Sequence, residues 1–457
     1  MGMSHTSLTR RLAVALCCST LLICASRLTS TAASTKKKVL IVSVTKGFRH
    51  SSIPTGEEII KALGDKTGLW DVDFVRTDEE MAQKMTAAGL TKYGAIVFNN
   101  STGDLPLPDR QALLDWVKAG GGVIGIHAAT DSFKVTNESP GWPDYIDMMG
   151  AQFVGHGPQA EVECLVETRN HPATADLPWQ FKVLEEVYLF KDFSRDKVRG
   201  LITLDKHPNT GEPGDYPISW VRNYGKGRVF YTSLGHREDV WSNELFQRHL
   251  TGGIRWALGL APGSARPAPP PSRITRSEMR EGFRRLFNNR DLTDWHPRDE
   301  GRTAWTAQNG MLVIGRGGAD LITDEKFQDF ILRCDYMIPK DGNSGVYLRG
   351  RYEIQVLDDF DKKTTDMHGN GSIYGKIAPA QFASRPAGEW QTVEAKLVGN
   401  RVTVVLNGVK IIDDQPIEGV TGAALDDKVD EPGPIMLQGN HGPVAYRNVR
   451  IKTLILK

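Results

Sequence analysis

Residues 39–44 read VLIVSV, a short apolar run of the kind that forms a strand buried on both faces of a sheet. Three more such runs follow it in the first half of the chain: AIVF at 95–98, VIGI at 123–126 and RVFYT at 228–232. Amphipathic helical segments lie between them, such as Gly56 to Leu63 and Asp109 to Ala119. The alternation predicts a mostly parallel, doubly wound α/β sheet, in which ligands bind beyond the carboxyl ends of the strands.

A proline-rich stretch marks the end of this half. Residues 260–273 read LAPGSARPAPPPSR, and their five prolines exclude a helix and favour an extended, semi-rigid spacer. The predicted organisation is an α/β domain at 37–260, a linker at 261–278 and a second domain at 279–457.

The second half has many short alternating segments separated by Gly, Asn and Asp. Between residues 345 and 356, one parity holds Tyr347, Arg349, Arg351, Glu353 and Gln355. The other parity holds the apolar side chains of Val346, Leu348, Tyr352, Ile354 and Val356, and a turn at Gly350-Arg351 leaves this parity unchanged. Asn407-Gly408 between two apolar runs is a strong β-hairpin signal. These patterns predict an all-β sandwich of jelly-roll size.

The charge of the chain argues against a nucleic-acid partner. The 457 residues include 56 Lys and Arg against 55 Asp and Glu, a formal net charge of +1. Residues 1–33 contain three arginines and no acidic residue, so the remainder has 53 basic and 55 acidic residues, a net charge of −2. A nucleic-acid binder usually carries an excess or a block of basic residues, which this chain lacks.

The N-terminal segment has the pattern of a secretory signal peptide. Arg10 and Arg11 precede a largely apolar run from Leu12 to Ala25, and small residues follow at Ser30 to Ala33. This predicts a signal peptide at 1–33 and a secreted or periplasmic protein. Cys24 offers a lipoprotein alternative, although the Ile before it fits that pattern poorly. No later stretch reaches the roughly 18 consecutive apolar residues of a membrane span.

Histidines follow the predicted strands of the α/β half. His50 comes after the first strand, His127 directly after the third and His236 shortly after the fourth, and His156 lies in a Gly-His-Gly sequence. Carboxylates that could join them are Asp131, Glu185 and Glu186. Convergence of His50, His127 and His236 would create a site for zinc or a similar divalent ion. The spacing is not a local metal motif, so structural histidines bonded within loops are the equal alternative.

Several segments of the first half resemble the ThuA-like (trehalose utilisation) family. The matching pieces between Lys38 and Leu258 are KVLIVSVTKGFRHSSI, GGGVIGIHAATDSF, GAQFVGHGP, EEVYLF and GRVFYTSLGH. The resemblance implies a flavodoxin-like fold related to class I glutamine amidotransferases and a sugar-related role. His127 stands where the amidotransferases carry their nucleophilic Cys. Glutaminase chemistry through a thiol is therefore excluded.

The second half resembles the 3-keto-disaccharide hydrolase family, whose concanavalin-like jelly roll occurs in secreted bacterial proteins. The segments that match between Glu281 and Lys452 are EGFRRLFNNRDLTDW, NSGVYLRGRYEIQVLDDF, GSIYG, GEWQTVEAKLVGNRVTVVLNG and GPIMLQGNHGPVAYRNVRIK. They cover essentially the whole domain in order. The family implies cleavage of keto-sugars. A sugar 3-oxidoreductase that supplies the C3 carbonyl is a candidate partner, which the sequence itself does not identify.

The residues of this half suit a carbohydrate site. Arg349, Glu353 and Gln355 are predicted to share one sheet face, with Gln438, Asn440 and His441 near it, and Tyr374 and Trp390 would stack on a sugar ring. A base, Glu353 or His441, would remove the C2 proton of a 3-keto-glycoside, and Arg349 or a cation would stabilise the enolate. The plain alternative is that Arg349 and Glu353 form an exposed ion pair.

The whole sequence therefore predicts a secreted enzyme that cleaves 3-keto-glycosides by elimination and hydration. The α/β domain would act on, or bind, a related keto-sugar. Two alternatives stay open: a lectin-like carbohydrate-binding protein with a scaffold domain, and a metal-dependent hydrolase whose chemistry lies only in the α/β half.

Overall fold

The computed structural model describes residues 36–267, 274–299, 301, 304–315, 317–363 and 365–454. The predicted signal peptide at 1–33, including Cys24, lies outside the described residues, as does part of the proline-rich linker. Within the described ranges, no helix combines the length and the apolar character needed to cross a membrane.

The first half of the described chain alternates strands and helices before it becomes rich in strands. Its strands are β1 (Lys37–Val42), β2 (Trp70–Val75), β3 (Ala95–Asn99), β4 (Gly122–Ile126), β5 (Gln152–His156), β6 (Ala160–Val166), β7 (Gln180–Glu185), β8 (Tyr188–Lys191), β9 (Arg199–Lys206), β10 (Pro213–Tyr224) and β11 (Gly227–Thr232). Its helices are α1 (Ile53–Thr67), α2 (Asp78–Lys84), α3 (Ala87–Leu90), α4 (Arg110–Ala119), α5 (Pro143–Met149), α6 (Glu238–Ser242) and α7 (Glu244–Ala257), with a 3-10 helix at His127–Asp131.

Nine of these strands form one mixed sheet in the order β2-β1-β3-β4-β11-β10-β9-β6-β7. The first five strands pair in parallel, whereas the pairs from β11 to β7 are antiparallel. The predicted parallel sheet is therefore confirmed for the part that contains the four apolar runs. The antiparallel extension is a difference from the prediction. Its outer strands β6 and β7 alternate in exposure, whereas β9 and β10 contain continuous buried runs.

Helices cover both faces of the parallel strands, as a doubly wound sheet requires. Ile60 and Leu63 of α1 pack in a core with residues of α6 and α7. Leu113 and Val117 of α4 pack in a second core on the other face. Helix α4 begins after Asp109, whose side chain accepts a hydrogen bond from the amide of Ala112, so the predicted helical segment starts at a regular N-cap.

The second half is built of antiparallel strands. A short helix α8 (Arg276–Arg280) precedes β12 (Arg284–Arg285), β13 (Trp295–Pro297), β14 (Trp305–Gln308), β15 (Met311–Ile314), β16 (Leu321–Phe327), β17 (Phe330–Met337), β18 (Asn343–Leu348), β19 (Tyr352–Leu357), β20 (Gln391–Val398), β21 (Arg401–Leu406), β22 (Val409–Pro416), β23 (Gly433–Leu437) and β24 (Val444–Thr453).

Two sheets of these strands form a sandwich. The large sheet has the order β14-β15-β24-β17-β20-β21-β22, with β12 paired to β24, and the small sheet has the order β13-β16-β23-β18-β19. One apolar core lies between them and contains Leu332 and Tyr446 of the large sheet and Val346 and Ile354 of the small sheet. The predicted all-β sandwich is confirmed.

The segment 345–356 is a hairpin rather than one strand. Arg349 and Gly350 have φ of 53° and 66° and form the turn between β18 and β19. The register places Tyr347 opposite Glu353, so the predicted parity is preserved across the turn. The predicted hairpin at Asn407-Gly408 joins β21 to β22, with both residues at positive φ.

The outer face of the large sheet contacts the α/β domain through Trp390. This side chain packs beside Met311, Val313 and Ala445, whose neighbours in β15 and β24 point into the sandwich core. The indole Nε1 donates a hydrogen bond of 2.5 Å to Asp205, and the guanidinium of Arg447 lies 3.7 Å from the ring centroid. Lys206 adds a 2.8 Å hydrogen bond to the carbonyl of Gly388. A tryptophan with a partly buried, hydrogen-bonded donor and a stacked cation helps to hold the two domains together.

We expect Trp390→Ala to weaken this contact between the domains. Loss of the hydrogen bond and the stacked cation removes about 2 kcal/mol, which corresponds to roughly 4–8 °C for domains of this size. In differential scanning calorimetry, the melting transitions of the two domains should therefore lie further apart in the variant than in the wild type. Trp179→Ala is the control because Trp179 is 60% exposed. A Trp390→Ala profile that matches the control would contradict the assignment.

Candidate functional site

Three histidines meet at the carboxyl edge of the parallel strands. His50 lies in the loop after β1, His127 follows β4 directly and His236 lies in the loop after β11. The three imidazole rings have centroid separations of 5.0, 5.2 and 5.2 Å. The sequence left this convergence as one of two equal alternatives. Its physical basis is that the carboxyl ends of parallel strands share one edge of the sheet.

Glu186 completes the cluster. It lies between β7 and β8, and its Oε1 is 3.6 Å from Nε2 of His127 and 3.4 Å from Nδ1 of His236. One donor atom from each of the four side chains lies within 4.8 Å of all the others. His50, His127 and Glu186 are buried, whereas His236 is partly exposed. Of the three candidate carboxylates, the structure therefore selects Glu186.

The neighbouring Glu185 has a structural role, because it binds backbone amides rather than the histidines. Its buried side chain accepts hydrogen bonds at Oε2 from the amides of Gly235 (2.8 Å) and His236 (3.2 Å), and at Oε1 from the amide of Glu186 (2.8 Å). These bonds join the backbone that carries Glu186 to the backbone that carries His236. Asp131, the third candidate carboxylate, lies 2.5 Å from Lys134 and is not a member of the four-residue cluster.

The imidazole of His127 is held in one orientation. Its Nδ1 lies 2.7 Å from the carbonyl oxygen of Ser233, to which it donates, so Nε2 faces the cluster as an unprotonated nitrogen in the neutral ring. The residue has φ of 44° in the sharp turn after β4, a strained backbone conformation that costs about 1–3 kcal/mol. This turn points the imidazole at the cluster.

Electrostatics favour neutral His50 beside an ionised Glu186. Burial, together with His127 and His236, lowers the pKa of His50 to about 3. Burial opposes ionisation of Glu186, but the neighbouring His127 and His236 outweigh it and lower its pKa. The hydrogen bond with Glu186 raises the pKa of His236. The site therefore offers a carboxylate and at least one unprotonated imidazole near neutral pH.

Aromatic residues and a fourth histidine line the approach to the cluster. The ring of Phe48 is 68% exposed and lies edge-on to His50, with centroids 4.8 Å apart. The ring of Tyr188 lies 4.0 Å from that of His127. His156, which is exposed, places Nδ1 3.2 Å from Oε2 of Glu186. The cluster thus has a partly apolar rim.

The β-domain holds a second group of polar side chains, on the outer face of its small sheet. Glu353 and Tyr347 are opposite each other in β19 and β18 and are 4% and 1% exposed. Burial raises the pKa of Glu353 to about 7, partly offset by a hydrogen bond with Tyr347. Gly345 has no side chain to obstruct them: a Cβ there would lie 2.3 Å from Oε1 of Glu353. The face thus presents a carboxyl group that titrates near neutrality.

Two glutamines accompany this pair. Gln438, directly after β23, donates from Nε2 to the hydroxyl of Tyr347 at 3.4 Å, and its buried Oε1 has no hydrogen-bond partner. Gln355 is buried on β19 with the same parity as Glu353. The structure therefore brings Glu353, Gln355 and Gln438 to the one face that the sequence predicted for them.

Arg349 does not share this strand face, which corrects the prediction. It lies in the β18–β19 turn, and its buried guanidinium donates to the carbonyls of Gln328 (2.7 Å) and Val429 (3.1 Å) and to Asp329 (3.2 Å). No ion pair joins it to Glu353 among the described residues. The positive φ of the turn directs the side chain away from the strand pattern, and its role here is to fix two loops.

His441 and Asn440 lie together in the loop between β23 and β24. Both are exposed, and Nδ1 of His441 is hydrogen bonded to Oδ1 of Asn440. Within the described part of the chain, no hydrogen bond links His441 to Glu353. The pairing of these two groups that the sequence predicted is therefore not seen in this structure.

The two predicted aromatic platforms lie apart. Trp390 is at the domain interface, on the outer face of the other sheet, with Arg447 over its ring. This placement corrects its prediction as a stacking residue beside Glu353. Tyr374 is half-buried, donates its amide to the carbonyl of Glu353 at 3.0 Å and has its ring 5.0 Å from that of His368.

Tyr347 is the residue near Glu353 that sequence reasoning left without a role. Its parity with Glu353 was visible, but a cross-strand pair becomes recognisable only once the hairpin register is known. The backbone-organising contacts of Glu185 carry no sequence signal at all, since they join segments that are 50 residues apart.

Two family models match the chain. Residues 38–257 match the family described as ThuA, trehalose utilisation, and residues 282–452 match the 3-keto-alpha-glucoside-1,2-lyase-like domain. A curated relative, the 3-keto-disaccharide hydrolase of Bacteroides thetaiotaomicron, is 24% identical over 161 residues. The match covers 27% of this chain and 55% of that protein, so the chain spans about half the length of this relative.

Solved structures resemble each half. A protein of Parabacteroides distasonis, provisionally named a glycosyl hydrolase, is 29% identical, with 38% of this chain and 84% of that chain covered and a TM-score of 0.34. A provisionally named ThuA-like protein of Bacteroides uniformis is 23% identical, with coverages of 48% and 91% and a TM-score of 0.41.

We expect Glu185→Gln to destabilise the α/β domain. A carboxamide has one acceptor oxygen and one NH2 group. It therefore cannot accept hydrogen bonds both from the amides of Gly235 and His236 and from the amide of Glu186, as the two oxygens of Glu185 do. An unpaired buried donor costs about 1–3 kcal/mol. The melting temperature in calorimetry should fall by roughly 2–10 °C. Glu163→Gln, at an exposed position of β6, is the control. Equal melting temperatures for the two variants would show that the bonds of Glu185 contribute little.

Proposed function

Because the chain consists of a ThuA domain followed by a 3-keto-disaccharide hydrolase-like domain, we propose that it is a carbohydrate-processing enzyme that cleaves 3-keto-glycosides. The observation that carries the proposal is Glu353. A buried carboxyl with a pKa raised to about 7 has the acidity that suits a general base at neutral pH. The ThuA domain would act on, or bind, a related keto-sugar.

The chemistry begins with the C2 proton of the sugar, which the neighbouring C3 carbonyl makes acidic. Glu353 takes this proton, and an enolate forms at C3. The hydroxyl of Tyr347, which donates to the carbonyl of Gly422 in this structure, lies on the same face as the amide of Gln438. Once that carbonyl moves away with its loop, both groups could donate to the enolate oxygen and stabilise it. The enolate then expels the glycosidic oxygen from C1, and the proton held by Glu353 is available to that oxygen. Addition of water to the enone gives net hydrolysis.

Ordinary glycosidases instead use two carboxylates that flank the scissile bond. Asp359, six residues after Glu353, accepts hydrogen bonds from the amide of Asn370 (2.8 Å) and the hydroxyl of Ser384 (2.6 Å). Asp358 accepts a bond from the amide of Asp341 at 2.9 Å. Both carboxylates are engaged in loop structure, which favours elimination over a two-carboxylate mechanism.

A loop covers the Glu353 group. Between β22 and β23, Thr421 accepts a hydrogen bond from the amide of Glu353 (2.9 Å), and the carbonyl of Gly422 accepts one from Tyr347 (3.0 Å). Leu425 packs on the same face beside Tyr347. A sugar can reach Glu353 only when this loop moves, and its return would exclude bulk water during the elimination.

The lectin-like alternative needs an exposed aromatic platform. Arg447 covers one face of Trp390, and Tyr374 is half-buried beside His368. The buried titratable carboxyl therefore favours catalysis over simple binding. The substrate itself requires prior oxidation of a sugar hydroxyl at C3, so a sugar 3-oxidoreductase is the partner activity that we propose.

Glu353 should set the pH dependence of cleavage. The base must be ionised, so kcat/KM for 3-keto-trehalose or a 3-keto-glucoside should rise as pH increases through about 7 and then level off. Glu353→Gln should lose at least about 100-fold in kcat because general-base catalysis is removed. Glu389→Gln, an exposed carboxylate on the other side of the sandwich, is the control. Equal turnover of the unoxidised sugars would contradict the elimination mechanism.

Tyr347→Phe should lower kcat more than it changes KM. Loss of one donor to a developing oxyanion costs about 100–1,000-fold in kcat. The same substitution removes the hydrogen bond that holds the pKa of Glu353 down, so the midpoint of the pH profile should move to higher pH. Tyr374→Phe is the matched control. A variant with normal kcat and an unmoved profile would exclude Tyr347 from the reaction.

A further inference from the structure

We propose that His50, His127, Glu186 and His236 bind one divalent first-row transition-metal ion in the α/β domain. The four side chains come from loops after β1, β4, β7 and β11, so only the complete fold brings them together. The site is separate from the Glu353 group, which lies in the other domain. It adds a metal centre to the proposed function rather than restating it.

The spacing of the donor atoms fits a metal. Four donors placed about 2.0–2.1 Å from a tetrahedral ion lie roughly 3.3–3.4 Å from one another. Nε2 of His127 and Nδ1 of His236 are 3.3 Å apart, and Oε1 of Glu186 is 3.6 and 3.4 Å from them. Three edges of the expected tetrahedron are therefore already present.

The protein also orients these donors. The carbonyl of Ser233 accepts from Nδ1 of His127, which leaves Nε2 unprotonated and directed at the cluster. Glu185 fixes the backbone amides of His236 and Glu186. Hydrogen bonds that hold a ligand from behind are a regular feature of protein metal sites. Nδ1 of His50 is buried without any hydrogen-bond partner. Buried polar atoms are normally paired, so this nitrogen calls for a bound ligand such as a metal ion.

The donor set selects the class of ion. Three imidazoles and one carboxylate suit Zn²⁺, Co²⁺, Ni²⁺, Fe²⁺ or Mn²⁺, whereas Mg²⁺ and Ca²⁺ prefer sites made of oxygen atoms alone. In this arrangement Glu186 supplies the only negative charge among the four ligands. The ion would thus keep a net positive charge and act as a Lewis acid.

The partly exposed His236 and the exposed ring of Phe48 show where a ligand would approach. An aromatic ring beside a cation suits a sugar, whose C–H face packs on the ring while an oxygen reaches the metal. We assign the open side of the site to a carbonyl or hydroxyl oxygen of a keto-sugar. This last assignment rests on the proposed function, but the metal site itself does not.

Metal binding by the full chain tests the proposal without any activity assay. The purified protein is stripped with a chelator, dialysed and titrated with Co²⁺ and with Zn²⁺. We expect about one equivalent of tightly held metal by elemental analysis, a visible absorption band of protein-bound Co²⁺ that Zn²⁺ abolishes, and a higher melting temperature with metal. Uptake well below one equivalent, or no cobalt spectrum, would overturn the proposal.

Two substitutions locate the ion. Glu186→Gln and His236→Asn should each weaken metal binding at least about 100-fold, a larger loss than that for a supporting residue. The controls are Glu238→Gln, an exposed carboxylate bonded to Ser51 near the site, and His296→Asn, from an exposed His–Asp pair in the β-domain. Both controls should bind like the wild type. Undiminished binding by Glu186→Gln, or loss in a control alone, would overturn the assignment. If one of these variants fails to fold, the other variant and His50→Asn, which removes a third ligand of the cluster, decide the same point.

The two sites can fail independently. Glu353→Gln should bind metal normally while it loses keto-glycoside cleavage, and Glu186→Gln should lose metal whatever the β-domain does. Normal metal uptake with no turnover of any keto-sugar would defeat the proposed function and leave the metal site standing. Turnover without metal uptake would do the reverse.

Discussion

The buried carboxylate of Glu185 is the constraint on which the metal cluster depends. It accepts hydrogen bonds from three backbone amides and so joins the chain after β7 to the chain after β11. In the sheet, these strands are separated by β10, β9 and β6. Without this bond set, Glu186 would have no fixed relation to the histidines that follow the parallel strands. One buried acceptor thus connects the antiparallel extension to the parallel half.

The histidine part of the cluster was predictable, and the carboxylate was not. His127 follows an apolar run directly, and parallel strands bring their carboxyl ends together, so its convergence with His50 and His236 follows from topology. Glu185 and Glu186 are adjacent and chemically equivalent in the sequence. Which of the two faces the histidines depends on where β7 ends and on which amides lie nearby. The position where β7 ends and the amides that surround it cannot be deduced from the local sequence, because they are set by the folded sheet.

The β-domain shows the same limit in another form. Alternating parity identified the face that holds Glu353 and Gln355, because period two survives the hairpin. It failed for Arg349, since a residue at positive φ in a turn no longer follows the pleat. Trp390 was visible as a large aromatic residue, but an interface tryptophan and a sugar-binding tryptophan look alike in sequence. Only the contact with Asp205 distinguishes them.

The sandwich architecture also constrains how the two domains can cooperate. The α/β domain contacts the outer face of the large sheet through Trp390, whereas Glu353 lies on the outer face of the small sheet. The core between the sheets is about 10 Å thick, so the Glu353 group faces away from the contact. If the proposed cleavage takes place at Glu353, a sugar released there cannot pass to the α/β domain through the interface and must travel through solvent around the sandwich. Under the proposed function, the fusion would keep two sugar sites at a high local concentration without channelling a substrate between them, so each site would have to recognise its sugar unaided.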